Sequence, residues 1–271
     1  MASVLPTLHA LDLDQSGSWL TVWFNTPENR NALTDARVTD LLTLCAALCE
    51  DRTVRGVIFR GHGGVFCAGG DLKSFREGFQ SGGADRAEVV RMSLRAADLF
   101  DAVASLPQYT VMAIKGAAMA GGMGLACCGD HVIATDGTLF GLSEVRIGLT
   151  PAQIAPFVLR RLGLQTARKL MMTGARLKAD EALRLGMVDE VAADTDALDA
   201  ALHAQRELIS SVAPGALASI KQQLACMPFQ TRDEQRQHAA EAFADRMLSD
   251  EARDGIGAFF DKRKPNWAED E

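Results

Sequence analysis

The sequence has no excess of basic charge: 28 Lys and Arg stand against 35 Asp and Glu, for a formal net charge of −7. Nucleic-acid binding as a main task needs a basic surface to meet phosphates, and this balance argues against it. A phosphate-bearing small ligand stays open, since a few local cations or a helix N-terminus can hold one. Cysteine pairs at metal-ligand spacing are also missing. Cys45, Cys49, Cys67, Cys127, Cys128 and Cys226 include no C-x-x-C and no accompanying His cluster, so no metal site is expected. Residues Met1 to Gly17 lack a basic, apolar leader and carry Asp12, Asp14 and Gln15, so no secretory signal is read there. Without one, the thiols are expected to be reduced in a cytoplasmic protein. The most apolar stretch, Val111 to Cys128, carries Lys115 and stops at Asp130. That excludes a comfortable membrane span and favours a strand turning into a buried helix. Internal repeats, long linkers and low-complexity segments are absent too.

What is present is an ordinary globular balance, 48% hydrophobic and 23% charged over 271 residues. The length suits one large α/β domain, or a domain of about 200 residues with a smaller helical one. Leu8 to Leu13 and Trp19 to Asn25 read as a strand pair, and Thr34 as the N-cap of a helix reaching Asp51. Val54 to Arg60 reads as a strand, and Ala87 to Leu106 as a helix with Val90, Leu94, Ala97 and Val103 inward. Strand Tyr109–Lys115, helix Gly121–Cys128 and strand His131–Thr135 follow. Beyond Leu149 the pattern is helical: Ala155–Leu162, Gln165–Thr173, Ala179–Leu185 and Thr195–Val212. Such strand–helix cycles followed by helices predict a parallel sheet wound into spiral turns with a helical C-terminal part. Ser81–Gly82–Gly83 is the expected mobile loop.

Two turns bring bare backbone to the start of a helix. They are Phe66–Cys67–Ala68–Gly69–Gly70–Asp71–Leu72 and Gly116–Ala117–Ala118–Met119–Ala120–Gly121–Gly122–Met123–Gly124. Small side chains let a ligand approach the main chain, and helix-starting N–H groups lack internal partners. Two such groups aimed at one point make an oxyanion hole, each donor worth about 2.7–4 kcal/mol in known cases. Gly-Gly before a helix equally serves close helix–sheet packing, so either turn alone leaves both readings open. A dinucleotide fingerprint is not among them, because the Gly121–Gly124 spacing is wrong for G-x-G-x-x-G.

With both turns in order, the chain resembles the enoyl-CoA hydratase/isomerase (crotonase) superfamily. Asn31–Ala32–Leu33, Gly129–Asp130, Phe140–Gly141–Leu142–Ser143–Glu144 and Gly255–Ile256–Gly257–Ala258–Phe259–Phe260–Asp261–Lys262–Arg263 match further motifs of that family, across residues 8–267. The resemblance implies an α/β fold, a crotonase-like ββα spiral over residues 1–200 with a helical trimerisation part over 201–271. It also implies that the N–H groups of Gly70 and Gly121 hold a thioester oxygen, with Glu144 as acid/base. Glu28 and Arg30, with Ala68, Asp71 and Leu72, would lie against coenzyme A. Phe243 and Lys262 would approach it from a neighbouring subunit of a homotrimer or dimer of trimers. Read alone, these last two are a core Phe and a solvated Lys.

Family hydratases of the two-glutamate type carry a second Glu where this chain has Gly124. The stretch Phe140 to Val158 is similar to a branch without that Glu, including 3-methylglutaconyl-CoA and isohexenylglutaconyl-CoA hydratases. A lyase adding water to such a branched glutaconyl thioester is expected, in leucine or acyclic terpene breakdown. Coenzyme A would arrive as part of the substrate, with no metal or other cofactor. Gln153 is a candidate helper of Glu144, or an ordinary structural amide. Lys73, Arg76 and Arg146 are the nearest cations for a distal carboxylate. A one-glutamate enoyl-CoA isomerase and a non-catalytic acyl-CoA- or RNA-binding homologue are the alternatives. A Cys67 nucleophile lacks an evident His partner.

Overall fold

The computed structural model describes residues 5–79 and 85–268; the expected mobile loop at Ser81–Gly83 lies outside them. In chain order the strands are β1 (Leu11–Ser16), β2 (Trp19–Phe24), β3 (Gly56–Gly61), β4 (Tyr109–Ile114), β5 (Ala117–Met119), β6 (His131–Thr135), β7 (Leu139–Gly141), β8 (Arg176–Lys178) and β9 (Glu190–Ala192). The helices are α1 (Asp35–Glu50), α2 (Leu72–Phe79), α3 (Arg86–Ala104), α4 (Gly121–Cys128), α5 (Ala155–Thr173), α6 (Ala179–Arg184), α7 (Thr195–Ser210), α8 (Pro214–Cys226), α9 (Arg232–Met247) and α10 (Asp250–Asp261).

Six strands form one sheet in the order β1-β2-β3-β4-β6-β9, with β1 antiparallel to β2 and every later pair parallel. A second sheet, β5-β7-β8, stands beyond it, with β5 and β7 parallel. Parallel strands buried on both faces read as near-continuous apolar runs, as Val111–Met112–Ala113–Ile114 does. One face of the large sheet packs Phe24, Val57, Met112 and Ile114 against α1, α3, α4 and α5 residues such as Leu41, Val103, Met123 and Val158. The other packs Trp19, Ile58, Val111 and Ile133 under Leu198, Leu202 and Ile209 of α7. α7 thus runs through position 200 as part of the sheet layers, and helices standing off the sheet begin at α8. That part is tied back by Lys221, which donates to the Gln108 carbonyl at 2.7 Å, and by Arg55, which donates to the carbonyls of Ile209, Ser210, Val212 and Trp267.

Local signals set the element ends. Thr34 accepts the Arg37 N–H and caps α1. Gly163 (φ 70°, ψ 165°) breaks α5 between the two helices expected there. The first strand starts later than expected, at Leu11, because the Asp40 carboxylate takes the N–H groups of His9 and Ala10 at 2.7 Å each. The expected inward stripe of α3 is corrected: Val90 and Leu94 are exposed, and the buried residues are Leu99, Phe100 and Val103. Only the C-terminal half of α3 lies over the core. Among the described residues no helix is long and apolar enough to cross a membrane, and no cysteine is paired.

Candidate active site

The first glycine turn is held between two strips of backbone. Phe66 and Cys67 donate to the Ala117 carbonyl at 3.1 and 3.2 Å, and Met119 donates back to Cys67 at 2.9 Å. On the other side Ala68 donates to the Arg30 carbonyl at 3.0 Å and Leu33 to the Gly69 carbonyl at 2.8 Å. Gly69 takes φ +94°, which an L side chain resists. Among the described residues the Gly70 N–H, just beyond, donates to no acceptor.

The second turn crosses immediately beside it. A Cβ on Gly122 would come 2.3 Å from the Cys67 carbonyl oxygen, and one on Gly69 would come 3.2 Å from Gly121 N. Small residues here are a packing requirement as well as an opening for a ligand. Ala120, a non-glycine residue at φ 50° and ψ −123°, swings the chain from β5 into α4. Its strain is held by its own N–H, which donates to the Gly141 carbonyl at 2.7 Å. As the first residue of α4, Gly121 has no carbonyl one turn back for its N–H. Two N–H groups without an acceptor among the described residues, of Gly70 and Gly121, therefore sit on touching loops.

Glu144 reaches the same region through sheet register. β5 and β7 run parallel with Met119 opposite Gly141, so both chains leave at one end. Three residues on, Glu144 opens a short 3-10 turn, Glu144–Ile147. It is half-buried, and its Oε2 is shut off from solvent with no hydrogen-bond partner among the described residues. Burial raises its pKa above the ordinary carboxylate value, with its own backbone N–H pulling weakly the other way. A carboxyl whose protonated form is favoured by burial is suited to proton transfer.

Position 124 is filled. A Cβ on Gly124 would lie 2.2 Å from Ile154 Cγ2 and 2.7 Å from Ile154 Cβ, and Ile154 is buried. Beside it, Gln153 Nε2 donates to Ser93 Oγ of α3 at 2.8 Å.

The other expected site residues fall into two groups. Glu28 and Arg30 stand exposed on a 3-10 turn, Pro27–Asn29, beside Ala68 and the exposed Leu72. Asp71 caps α2: it accepts the Ser74 hydroxyl at 2.6 Å and the N–H groups of Lys73 and Ser74, and the Ser74 hydroxyl bond leads in lowering its pKa. Phe243 and Lys262 are exposed on α9 and at the end of α10. Lys73 and Arg76 are exposed on α2, while Arg146 lies over Gly174, where a Cβ would meet its Nε at 2.8 Å. Cys67 is a buried thiol whose pKa burial pushes up to about 11, which removes the thiolate that a nucleophile needs.

Two buried polar residues were not singled out from sequence. Asn31, at φ 56°, donates to the carbonyls of His62 and Val65 at 2.9 and 2.7 Å and accepts the Thr26 N–H. Arg37, fully buried, donates to the carbonyls of Ala32 (2.6 Å) and Ala10 and to the Thr26 hydroxyl. Together they fix the left-handed pair Arg30–Asn31 and hence the strip that supports Gly69. Asn31 heads a recognisable motif, but an Arg inside a helix reads as a surface charge.

The family model described as "Enoyl-CoA hydratase/isomerase" matches residues 14–270. Pseudomonas aeruginosa AtuE is 39% identical, the match covers 96% of this chain and all of that one, and the TM-score is 0.92. An enoyl-CoA hydratase/isomerase from Marinobacter aquaeolei is 35% identical over 96% of this chain and 99% of its own, with a TM-score of 0.91. The human protein named enoyl-CoA hydratase domain-containing protein 2, mitochondrial, is 37% identical over 74% of this chain and 67% of its own length.

Proposed function

The chain belongs to the enoyl-CoA hydratase/isomerase family, and from that premise we propose that it is a hydro-lyase adding water across the 2,3-double bond of an enoyl-CoA thioester. What supports this reading is that two touching turns carry Gly70 and Gly121 N–H groups with no acceptor among the described residues, and that β7, paired with β5, leads from the same end to Glu144 with its buried, unpartnered Oε2. The thioester oxygen accepts from Gly70 and Gly121. Water adds to C3, the π pair moves to the thioester oxygen, and Glu144 takes a proton from the water. As the enolate collapses, Glu144 returns that proton to C2. Donors aimed where charge develops stabilise the enolate more than the substrate, which is what accelerates the step. Coenzyme A enters as part of the substrate, along Glu28, Arg30 and Ala68–Leu72, and no other cofactor is invoked.

The substrate we favour is a branched glutaconyl-CoA, with isohexenylglutaconyl-CoA ahead of 3-methylglutaconyl-CoA, supported by the Phe140–Val158 resemblance. The exposed Phe229, Phe243, Leu248, Phe259 and Phe260 of the C-terminal part support a homotrimer or dimer of trimers, in which Phe243 and Lys262 meet a neighbour's coenzyme A.

A second reading has its own support. A single carboxylate suffices to move a proton between two carbons, and Gly124 with Ile154 against it leaves no second one at that place. The two readings part on product mass. The protein and its Glu144→Gln variant are incubated with crotonyl-CoA, both glutaconyl thioesters and a 3-enoyl-CoA. Gain of one water, lost in the variant, supports the hydratase. Double-bond migration without mass change would make the protein an isomerase.

A further inference from the structure

Position 124 is closed by Ile154, so a group that orients the attacking water must come from another element. The loop that delivers Ile154 also delivers Gln153, one residue earlier and half-buried. Gln153 Nε2 is spent on Ser93 Oγ at 2.8 Å, which leaves Oε1 as an acceptor with no partner among the described residues. Ser93 and Phe100 stand seven residues, about two turns, apart on α3 and share a face. That face looks onto the second glycine turn: the Phe100 ring comes 3.7 Å from a Cβ placed on Gly121 and 3.4 Å from one placed on Gly124. The Gln153–Ser93 bond therefore spans from the loop following Glu144 to the helix face that backs Gly121.

Oε2 of Glu144 is buried with no partner, and Oε1 of Gln153, nine residues further along the chain, accepts from no donor among the described residues. A water molecule carries two hydrogens, enough to serve both. We propose that Gln153, held in place by Ser93, accepts one hydrogen of the attacking water while Glu144 accepts the other, so that a lone pair of the water faces C3. This role rests on the hydratase reading and deepens it. In the addition, the hydrogen on Glu144 is the one transferred to C2. The hydrogen on Gln153 stays on the new hydroxyl, so the amide neither gains nor loses a proton. Ser93 is a positioning residue: its hydroxyl holds the Gln153 side chain against α3.

The test separates water attack from enolate formation. Exchange of the α-hydrogens of butyryl-CoA with deuterated solvent uses Glu144 and the two N–H donors but no nucleophilic water. Gln153→Met keeps the bulk and removes the acceptor. It is expected to lower kcat for hydration about 100-fold, the order lost when a reacting group is misplaced by about 1 Å, while α-exchange stays within about 3-fold of wild type. Ser93→Ala is expected to lower hydration about 10-fold with little change in KM, and the Gln153→Met/Ser93→Ala double variant to lose no more than Gln153→Met alone, because the pair acts as a unit. Hydration that survives Gln153→Met, or hydration and exchange falling in parallel, would overturn the role and leave a structural amide. A wild-type protein that exchanges α-hydrogens but adds no water to any 2-enoyl thioester would instead sink the hydratase reading itself, and this role with it.

Discussion

Gly69→Ala probes the place where the two glycine turns touch. The added Cβ would stand 2.7 Å from Ala120 Cβ, 2.9 Å from the Met119 carbonyl oxygen and 3.2 Å from Gly121 N. Carbon atoms in good contact sit about 3.5–4.0 Å apart, so the first of these is short by roughly 1 Å. Ala120 cannot give way easily, since its left-handed φ of 50° is pinned by the 2.7 Å bond to Gly141. The first turn must therefore retreat, carrying the Gly70 N–H with it. Backbone strain at φ +94° costs about 1–3 kcal/mol and the overpacking about as much again. At about 2–4 °C per kcal/mol for a domain of this size, Tm should fall by roughly 5–20 °C. Displacing one donor should lower kcat by about 10²–10³. Gly64→Ala is the control: its φ is +77°, but a Cβ there meets nothing within 4 Å. It should cost stability through backbone strain while leaving kcat unchanged. Steady-state hydration and thermal melts on both variants decide the matter. A Gly69→Ala protein that turns over as fast as Gly64→Ala would refute the contact as a determinant of the donor's position.

Three further outcomes are expected. Glu144→Gln should lose hydration by at least about 100-fold, and the acid limb of wild-type kcat/KM should lie above the ordinary glutamate pKa of about 4.3, because burial raises this carboxyl. The raised pKa means that the native state holds this proton more tightly than the unfolded chain does. Stability from it is present below the unfolded pKa and lost as pH rises through the folded one. Glu144→Gln should then melt higher than wild type at neutral pH, the gap closing in acid; a gap independent of pH would contradict the burial argument. Gly124→Ala and Ile154→Ala should each destabilise, by about 1–3 and 2–5 kcal/mol, yet the double variant should cost less than the sum, since the second removes Cγ2, the closer of the two Ile154 atoms that the first strikes. Additive melts would disprove the contact. Replacing Phe259 and Phe260, both more than three-quarters exposed, by Ser should reduce the sedimenting mass toward that of one chain if these rings bury between subunits.

Short-range signals were legible in the sequence and long-range ones were not. The bounds of α4, the Thr34 cap and the break at Gly163 follow from residues within a turn of each feature. The inward face of α3 was misjudged because periodicity tells which residues share a side, not how far along the helix the core extends. Val90 and Leu94 lie on the part beyond it. Gly70, Gly121 and Glu144 stand out in the sequence through ordered motifs, and β5–β7 register sets the segments leading to Gly121 and Glu144 side by side. Arg37 was out of reach. Its acceptors at Ala10 and Thr26 lie 27 and 11 residues away, and without them a helical arginine is a solvated charge.

Gly124 shows why a missing residue needs a structure before it becomes an argument. Compared with two-glutamate relatives, a glycine there looks like a deletion that leaves a hole where a carboxylate belonged. The helix surface at 124 is instead covered by Ile154, which would meet even a single added carbon at 2.2 Å. Glycine and isoleucine are thus two halves of one fit, and restoring a glutamate at 124 alone would drive a carboxylate into an apolar contact with Phe100 and Ile154. Such a charge would be buried without a partner, which costs more than the overpacking. Any route back to two carboxylates has to shorten residue 154 first. The segment that closes this place, residues 151–154, also carries the Gln153 amide. On the role proposed for Gln153, the side chain that fills the gap and the amide that stands in for the carboxylate sit on one segment.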